Sequence, residues 1–335
     1  MEDQRNYVQI GRKMVRKGLI IFIILFLSLS GYAQQDPQYS FNMFNHMSIN
    51  PGFAGSNGKI CANGIYRKQW MGFDGAPTTM VFNADMPING ISSGVGLTII
   101  NDEIGFEKNI NIKGSYAYKL DLGEGGNLGI GLSVGLLNRG IDGDWETYDY
   151  LENSNVDPLS DPAVPNAESH MVFDMDFGLF YRVMLSDNLL YAGLSTTHIT
   201  QPKFKFSNEK MPFLKRHYYL TAGYYYTLPA PQWEIKPSFM IKSDGVTSQY
   251  SFNANIYYEK KYWAGATYRV NEAAIILVGF TLPMSSSALD VGIAYDIQMS
   301  QLSHYNSGTI EIMLKYCFNV SGSNGNTIYR DVRSL

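Results

Sequence analysis

The 335 residues carry 45% hydrophobic and 17% charged side chains and a formal net charge of −4. Beyond residue 33 no stretch approaches eighteen apolar residues, which excludes a bundle of membrane-spanning helices, and the acidic balance argues against nucleic acid as a partner. Neither observation touches a membrane β-barrel, whose strands show apolar side chains to lipid only at alternate positions.

Met1–Ala33 reads as an export signal. Arg12, Lys13, Arg16 and Lys17 form a basic region, Leu19–Leu29 an apolar one, and Gly31 and Ala33 are the small residues of a cleavage site. The alternative is an uncleaved N-terminal anchor helix. No cysteine follows the site, so a lipoprotein anchor is not expected. Cleavage would remove five basic and two acidic residues, leaving 21 basic and 28 acidic ones and a formal charge of −7.

Residues 34–57 precede the first strand as a periplasmic segment or plug. Tyr39, Met43, Phe44 and Met47 fall on one face of a short helix. Asp36 and Pro37 suit its start, and Asn50–Pro51–Gly52 its end. Such a segment could enter the barrel mouth or offer Tyr39, Phe44 and Met47 to a periplasmic partner.

From residue 58 to 320 the chain repeats runs of roughly ten residues that alternate apolar with polar. Leu128, Ile130, Leu132, Val134 and Leu136 oppose Gly129, Gly131, Ser133 and Gly135. Phe173, Met175 and Phe177 oppose Asp174, Asp176 and Gly178. The runs predict strands at Lys59–Gln69, Thr78–Met86, Ser92–Asn101, Asn109–Leu120, Asn127–Leu137, Met171–Met184, Asn188–Thr197, His217–Leu228, Trp233–Lys242, Gln249–Glu259, Lys261–Val270, Ala273–Leu282, Ala288–Gln298 and Thr309–Asn319. The fold class is therefore all-β: a transmembrane antiparallel barrel of about 14 strands. A soluble β-sandwich is the bland alternative; the 24 tyrosines suit the interfacial girdles of a barrel better.

Connections after even-numbered strands are tight, and most of those after odd-numbered strands are longer. This matches periplasmic turns and extracellular loops. The first strand then runs outward, with both termini, including the tail 321–335, in the periplasm. Two outer loops stand out as partner-binding candidates. Asn138–His170 carries Trp145, Tyr148 and Tyr150; His198–Arg216 carries Phe204, Phe206 and Phe213 among lysines. A solvated cap with no dedicated partner is the plain alternative.

Parity turns Lys113, Lys119, Asp174, Asp176, Arg182, Lys236, Lys242, Arg269, Asp290, Asp296, Glu311 and Lys315 into the lumen, where they either pair and fill it or line an aqueous pore. The inward glycines favour an inserted segment or ligand. Cys61 and Cys317 also face inward, near the periplasmic ends of the first and last strands. A disulfide across the barrel seam is chemically permitted there, but the stagger of a tilted barrel can displace the two positions, and two unpaired buried thiols are the alternative. No enzyme motif, P-loop, zinc spacing or calcium loop appears, so no catalytic residue, metal or cofactor is expected. His170, His198, His217 and His304 fall at or near outer strand ends.

Gln34–Ser56 reads QQDPQYSFNMFNHMSINPGFAGS. Asp36, Pro37, Gln38, Tyr39, Met43, Phe44 and Asn45, then Asn50, Pro51, Gly52, Ala54, Gly55 and Ser56, resemble the opening of the PorP/SprF family of Bacteroidota outer-membrane proteins. Arg67, Gln69 and Trp70 resemble its R-x-Q-W element, and Gly75–Thr78 its G-A-P-x-T turn. The chain departs at Gly52–Phe53, where Ala-Tyr is commoner. The resemblance implies a non-enzymatic outer-membrane component of the type IX secretion system, often tied to gliding motility. Its implied partners are a secreted adhesin or other substrate and the periplasmic and outer-membrane parts of that system. A porin-like or hydrophobic-solute channel is the alternative.

Overall fold

The computed structural model describes residues 36–88, 90–141, 167–204, 214–299, 303 and 305–319. Fourteen strands close into one antiparallel barrel: β1 Ile60–Lys68, β2 Thr78–Ile88, β3 Ser93–Ile104, β4 Glu107–Gly123, β5 Gly126–Ile141, β6 Glu168–Leu185, β7 Asn188–Thr197, β8 His217–Thr227, β9 Trp233–Ser243, β10 Ser248–Tyr258, β11 Tyr262–Arg269, β12 Ala273–Pro283, β13 Ser287–Gln298 and β14 Thr309–Phe318. Each strand pairs with its chain neighbours, and β1 pairs with β14 from Ile60↔Phe318 to Lys68↔Ile310. Closure leaves no free sheet edge, the condition for crossing lipid with strands.

The faces divide as the alternation dictates. On β5, Leu132, Val134 and Leu136 are exposed while Ser133 is buried. On β6, Phe173 is exposed and Asp174 and Asp176 are buried. Exposed apolar residues on nearly every strand make an outward band, and polar residues fill the interior, the reverse of a soluble protein.

All fourteen expected strands are present, but three run further than expected. β4, β5 and β6 span 17, 16 and 18 residues, against about 9–11 needed to cross a bilayer. The apolar alternation stops near Leu137, yet the ladder continues through Asn138↔Met171 and Arg139↔His170 to Ile141↔Glu168. Backbone pairing needs no apolar side chains, so the sequence signal ended before the strand did. β7 pairs with β6 only from Phe177 onward, so residues 168–176 of β6 run past its outer end. The connection between β3 and β4 is correspondingly shorter than expected: Gly105–Phe106 alone joins Ile104 to Glu107, with Gly105 at φ 55°. That connection and 270–272 are as tight as the periplasmic turns.

The segment ahead of β1 lies inside the barrel. It is not the single helix expected. A 3₁₀ turn Asn42–Phe44, one α-helical turn His46–Ile49 and a second 3₁₀ turn Pro51–Phe53 follow one another. Asp36 caps nothing; Asn50 instead accepts from the Gly52 amide. A helix this short gains little from its own hydrogen bonds, and here the barrel wall supplies partners for its backbone. Nor does the segment stay at the periplasmic mouth. Asp36 meets Thr197, His198 and Tyr219 at the outer ends of β7 and β8. Gly55 meets Asp85 and Lys119 near the periplasmic turns. The plug thus descends the whole lumen before β1 climbs back outward.

Candidate functional site

Three groups of contacts hold the plug in the lumen. In one of them Arg67 of β1 bridges acids on the two strands beside it in the sheet, Glu311 of β14 at 2.8 Å and Asp296 of β13 at 2.9 Å, with all three side chains fully buried. Arg67 also donates to the Ser40 hydroxyl at 2.7 Å. The Ser40 and Phe41 amides donate to the two Glu311 oxygens at 2.7 and 2.9 Å, and Arg269 donates to the Tyr39 carbonyl at 3.2 Å. Glu311 and Arg269 therefore satisfy backbone groups of the plug that lack helical partners, which is what burial of a peptide requires, while Arg67 and Asp296 hold the Ser40 hydroxyl. Beside them Phe41 and Phe44 pack on Trp263.

At the lower level the plug backbone lies against glycines. A Cβ on Gly52 would sit 2.8 Å from the carbonyl oxygens of both Gly129 and Gly178. A Cβ on Gly129, Gly131 or Gly178 would collide with Gly52, Pro51 or Asn50. The inward glycines of β5 and β6 are thus the seat of an inserted segment. Asn50 donates to the Leu179 carbonyl at 2.9 Å, and the Ser56 and Gly55 carbonyls accept from Arg182 and Lys119. Gly178→Val is expected to strain this seat by about 1–3 kcal/mol, as overpacking does, without changing the outer face. Faster protease cleavage within 36–56 in the assembled barrel is the expected readout; unchanged protection contradicts the seat.

At the outer level Asp36 is the anchor. Its carboxylate accepts from the Tyr219 hydroxyl at 2.8 Å and from Thr197 at 3.1 Å, and lies 2.8 Å from His198 Nε2. Lys242 donates to its carbonyl. His198 Nδ1 lies 2.6 Å from Asp174, which with Asp176 also holds Lys113 at 2.7 and 2.8 Å. Burial alone would raise the Asp36 carboxyl; the His198 and His217 imidazoles override it and hold it well below the usual carboxylate range. Burial pulls the His198 imidazole down, and Asp36 and Asp174 outweigh it, pushing it up to about 9.

The candidate residues divide by place. Tyr39 and Met47 are buried in the lumen and Phe44 packs on Trp263, so their apolar surfaces face the barrel interior. Phe204 is 1% exposed and lies under the Arg139 guanidinium, 5.4 Å away; it forms part of the base of its loop rather than an open surface. Trp145, Tyr148, Tyr150, Phe206 and Phe213 lie outside the described residues, as does His304. Cys61 and Cys317 stand opposite one another in the β1–β14 ladder, 4.1 Å apart at Cα, with their sulfurs bonded. Eleven of the twelve charges assigned inward by parity are buried, and Arg182 is half-buried. Arg67 was missed as a lumen charge because it stood out only within the R-x-Q-W element.

Below the plug a cavity of about 100 Å³ opens on the periplasmic side, lined by Phe44, Phe53, Tyr191, Tyr225, Lys236 and Lys315 among others.

The barrel is similar in fold to solved outer-membrane proteins. The toluene transporter TodX of Pseudomonas putida superposes with a TM-score of 0.51 at 8% identity, over 82% of this chain and 93% of that one. The toluene transporter TbuX of Ralstonia pickettii gives 0.48 at 10% identity over 82% and 93%. The Acinetobacter baumannii outer membrane protein Omp33 gives 0.37 at 10% identity over 78% and 97%. At such identities the likeness shows the fold alone. No curated protein matches the sequence significantly. The family model for the type IX secretion system membrane protein PorP/SprF matches residues 31–316. With a closed barrel of fourteen strands around the Asp36–Ser56 segment that first suggested the resemblance, this outer-membrane chain belongs to the PorP/SprF family.

Proposed function

We propose that this chain is a closed docking scaffold of the type IX secretion system, holding a secreted protein at the cell surface and performing no chemistry itself. The observation that carries the reading is the pairing of a filled lumen with strands that overrun the membrane on one side. A barrel plugged along its length by ion pairs and backbone hydrogen bonds is poorly suited to passing a solute. The β4–β6 extension carries the paired residues Ile141 and Glu168 beyond the outer end of β7. Such a raised strand edge is suited to a protein partner. The aromatic residues Trp145, Tyr148 and Tyr150 would supply its anchoring contacts.

Affinity purification of the chain from native outer membrane, with mass spectrometry of what accompanies it, tests this. The scaffold reading expects a secreted surface protein and other secretion components; purification of the barrel alone contradicts it. Deleting Trp145–Pro165 should leave the barrel assembled, since no described strand is cut, and abolish surface retention of that partner. Retention equal to that of the intact chain would remove this loop from the docking surface.

The second reading, a hydrophobic-solute channel, draws on the aromatic lining of the periplasmic cavity. At about 100 Å³ that cavity is well below the roughly 300 Å³ of the smallest usual ligand pockets, so the scaffold is preferred.

A further inference from the structure

The outer anchor of the plug has a donor set beyond what a salt bridge needs. Asp36 Oδ1 lies 2.8 Å from His198 Nε2, and Asp36 Oδ2 lies 3.6 Å from His217 Nδ1. One oxygen and two imidazole nitrogens converge so that all three ligand atoms lie within 4.8 Å of one another. A tetrahedral zinc ion with bonds of about 2.0–2.1 Å separates its ligand atoms by about 3.3–3.4 Å, inside that 4.8 Å limit.

The surroundings favour the same assignment. His198 Nδ1 is held by the Asp174 carboxylate at 2.6 Å, the outer carboxylate–imidazole contact that fixes a metal-binding histidine and aims its other nitrogen. His217 is 1% exposed; its Nδ1 lies 3.6 Å from the Asp36 carboxylate and 3.2 Å from the Lys215 carbonyl, and its Nε2 is buried with no hydrogen-bond partner. Hydrogen bonding alone therefore gives little reason for a buried imidazole here. Lys242 bonds the Asp36 carbonyl rather than its carboxylate. Two nitrogens and one carboxylate suit zinc or a similar divalent transition ion, and not the oxygen-seeking calcium or magnesium.

We propose that Asp36, His198 and His217 bind a divalent transition-metal ion, with zinc as the natural candidate. The ion would clasp the outer end of the plug to the loop between β7 and β8. This stands apart from the docking reading, since it concerns only the lumen.

The full-length barrel, purified in detergent and stripped with EDTA, would be titrated with zinc chloride by calorimetry and with cobalt chloride by visible absorption. The expected result is one zinc per chain and the intense visible bands of tetrahedral cobalt. His198→Ala and His217→Ala should each weaken zinc binding by at least about tenfold, in barrels that still show the heat-dependent gel shift of the folded form. Absence of saturable binding, or an affinity in either variant equal to that of the unsubstituted chain, overturns the proposal. Should a variant not fold, X-ray absorption of the zinc-loaded unsubstituted chain decides: imidazole scattering supports the site, and its absence overturns it.

Discussion

Arg67→Ala is expected to destabilise the barrel by about 3–5 kcal/mol, the usual cost of removing one partner from a buried ion pair. The substitution leaves Asp296 and Glu311 facing each other in an interior from which both are fully excluded from water. It also removes the donor to Ser40 and loosens the carboxylate that holds the Ser40 and Phe41 amides. The loss should fall on the plug first, as protease cleavage near residue 40, and then on the urea midpoint of refolded barrel. Arg67→Ala combined with Asp296→Asn and Glu311→Gln should recover part of the loss, because no uncompensated charge remains. A single variant within about 1 kcal/mol of the parent would mean that the cluster does not anchor the plug.

The second large effect belongs to the seam. Cys61 and Cys317 close a loop of sequence separation 256. Cross-linking so long a loop restricts the unfolded chain by up to about 5 kcal/mol in the chain-entropy account. Alkylation of denatured, unreduced protein should label neither cysteine, and both after reduction. Cys61→Ser with Cys317→Ser should lower the unfolding midpoint while β1 and β14 still pair, since eight other residue pairs remain in that ladder. Labelling of both cysteines before reduction contradicts the bond.

The barrel was legible because a membrane strand obeys a period of two with no exceptions allowed on the lipid side. Parity alone placed Asp296, Glu311 and Lys113 in the lumen and put Cys61 and Cys317 on the same face. The extension of β5 and β6 was not legible. Beyond Leu137 the strands leave the lipid, and residues such as Asn138, Arg139 and Gly140 carry no alternation although their backbones remain paired. The plug's conformation was illegible for a related reason. The apolar spacing of Tyr39, Met43 and Met47 suggested one helix, but each turn is shaped by a wall residue distant in sequence: Glu311, Asn83 and Leu179. The grouping of Asp36 with His198 and His217 is of the same kind. No linear motif joins positions so far apart; only closure of the sheet and descent of the plug bring them together.

If residues 36–56 fill the lumen, the barrel is a closed scaffold and does not conduct. Planar-bilayer recording of the intact chain beside a chain lacking residues 36–56 tests it most directly. The intact chain should give no steady conductance, and ohmic steps should appear once the plug is gone. Steady steps from the intact chain, matching those of the deletion, would contradict it.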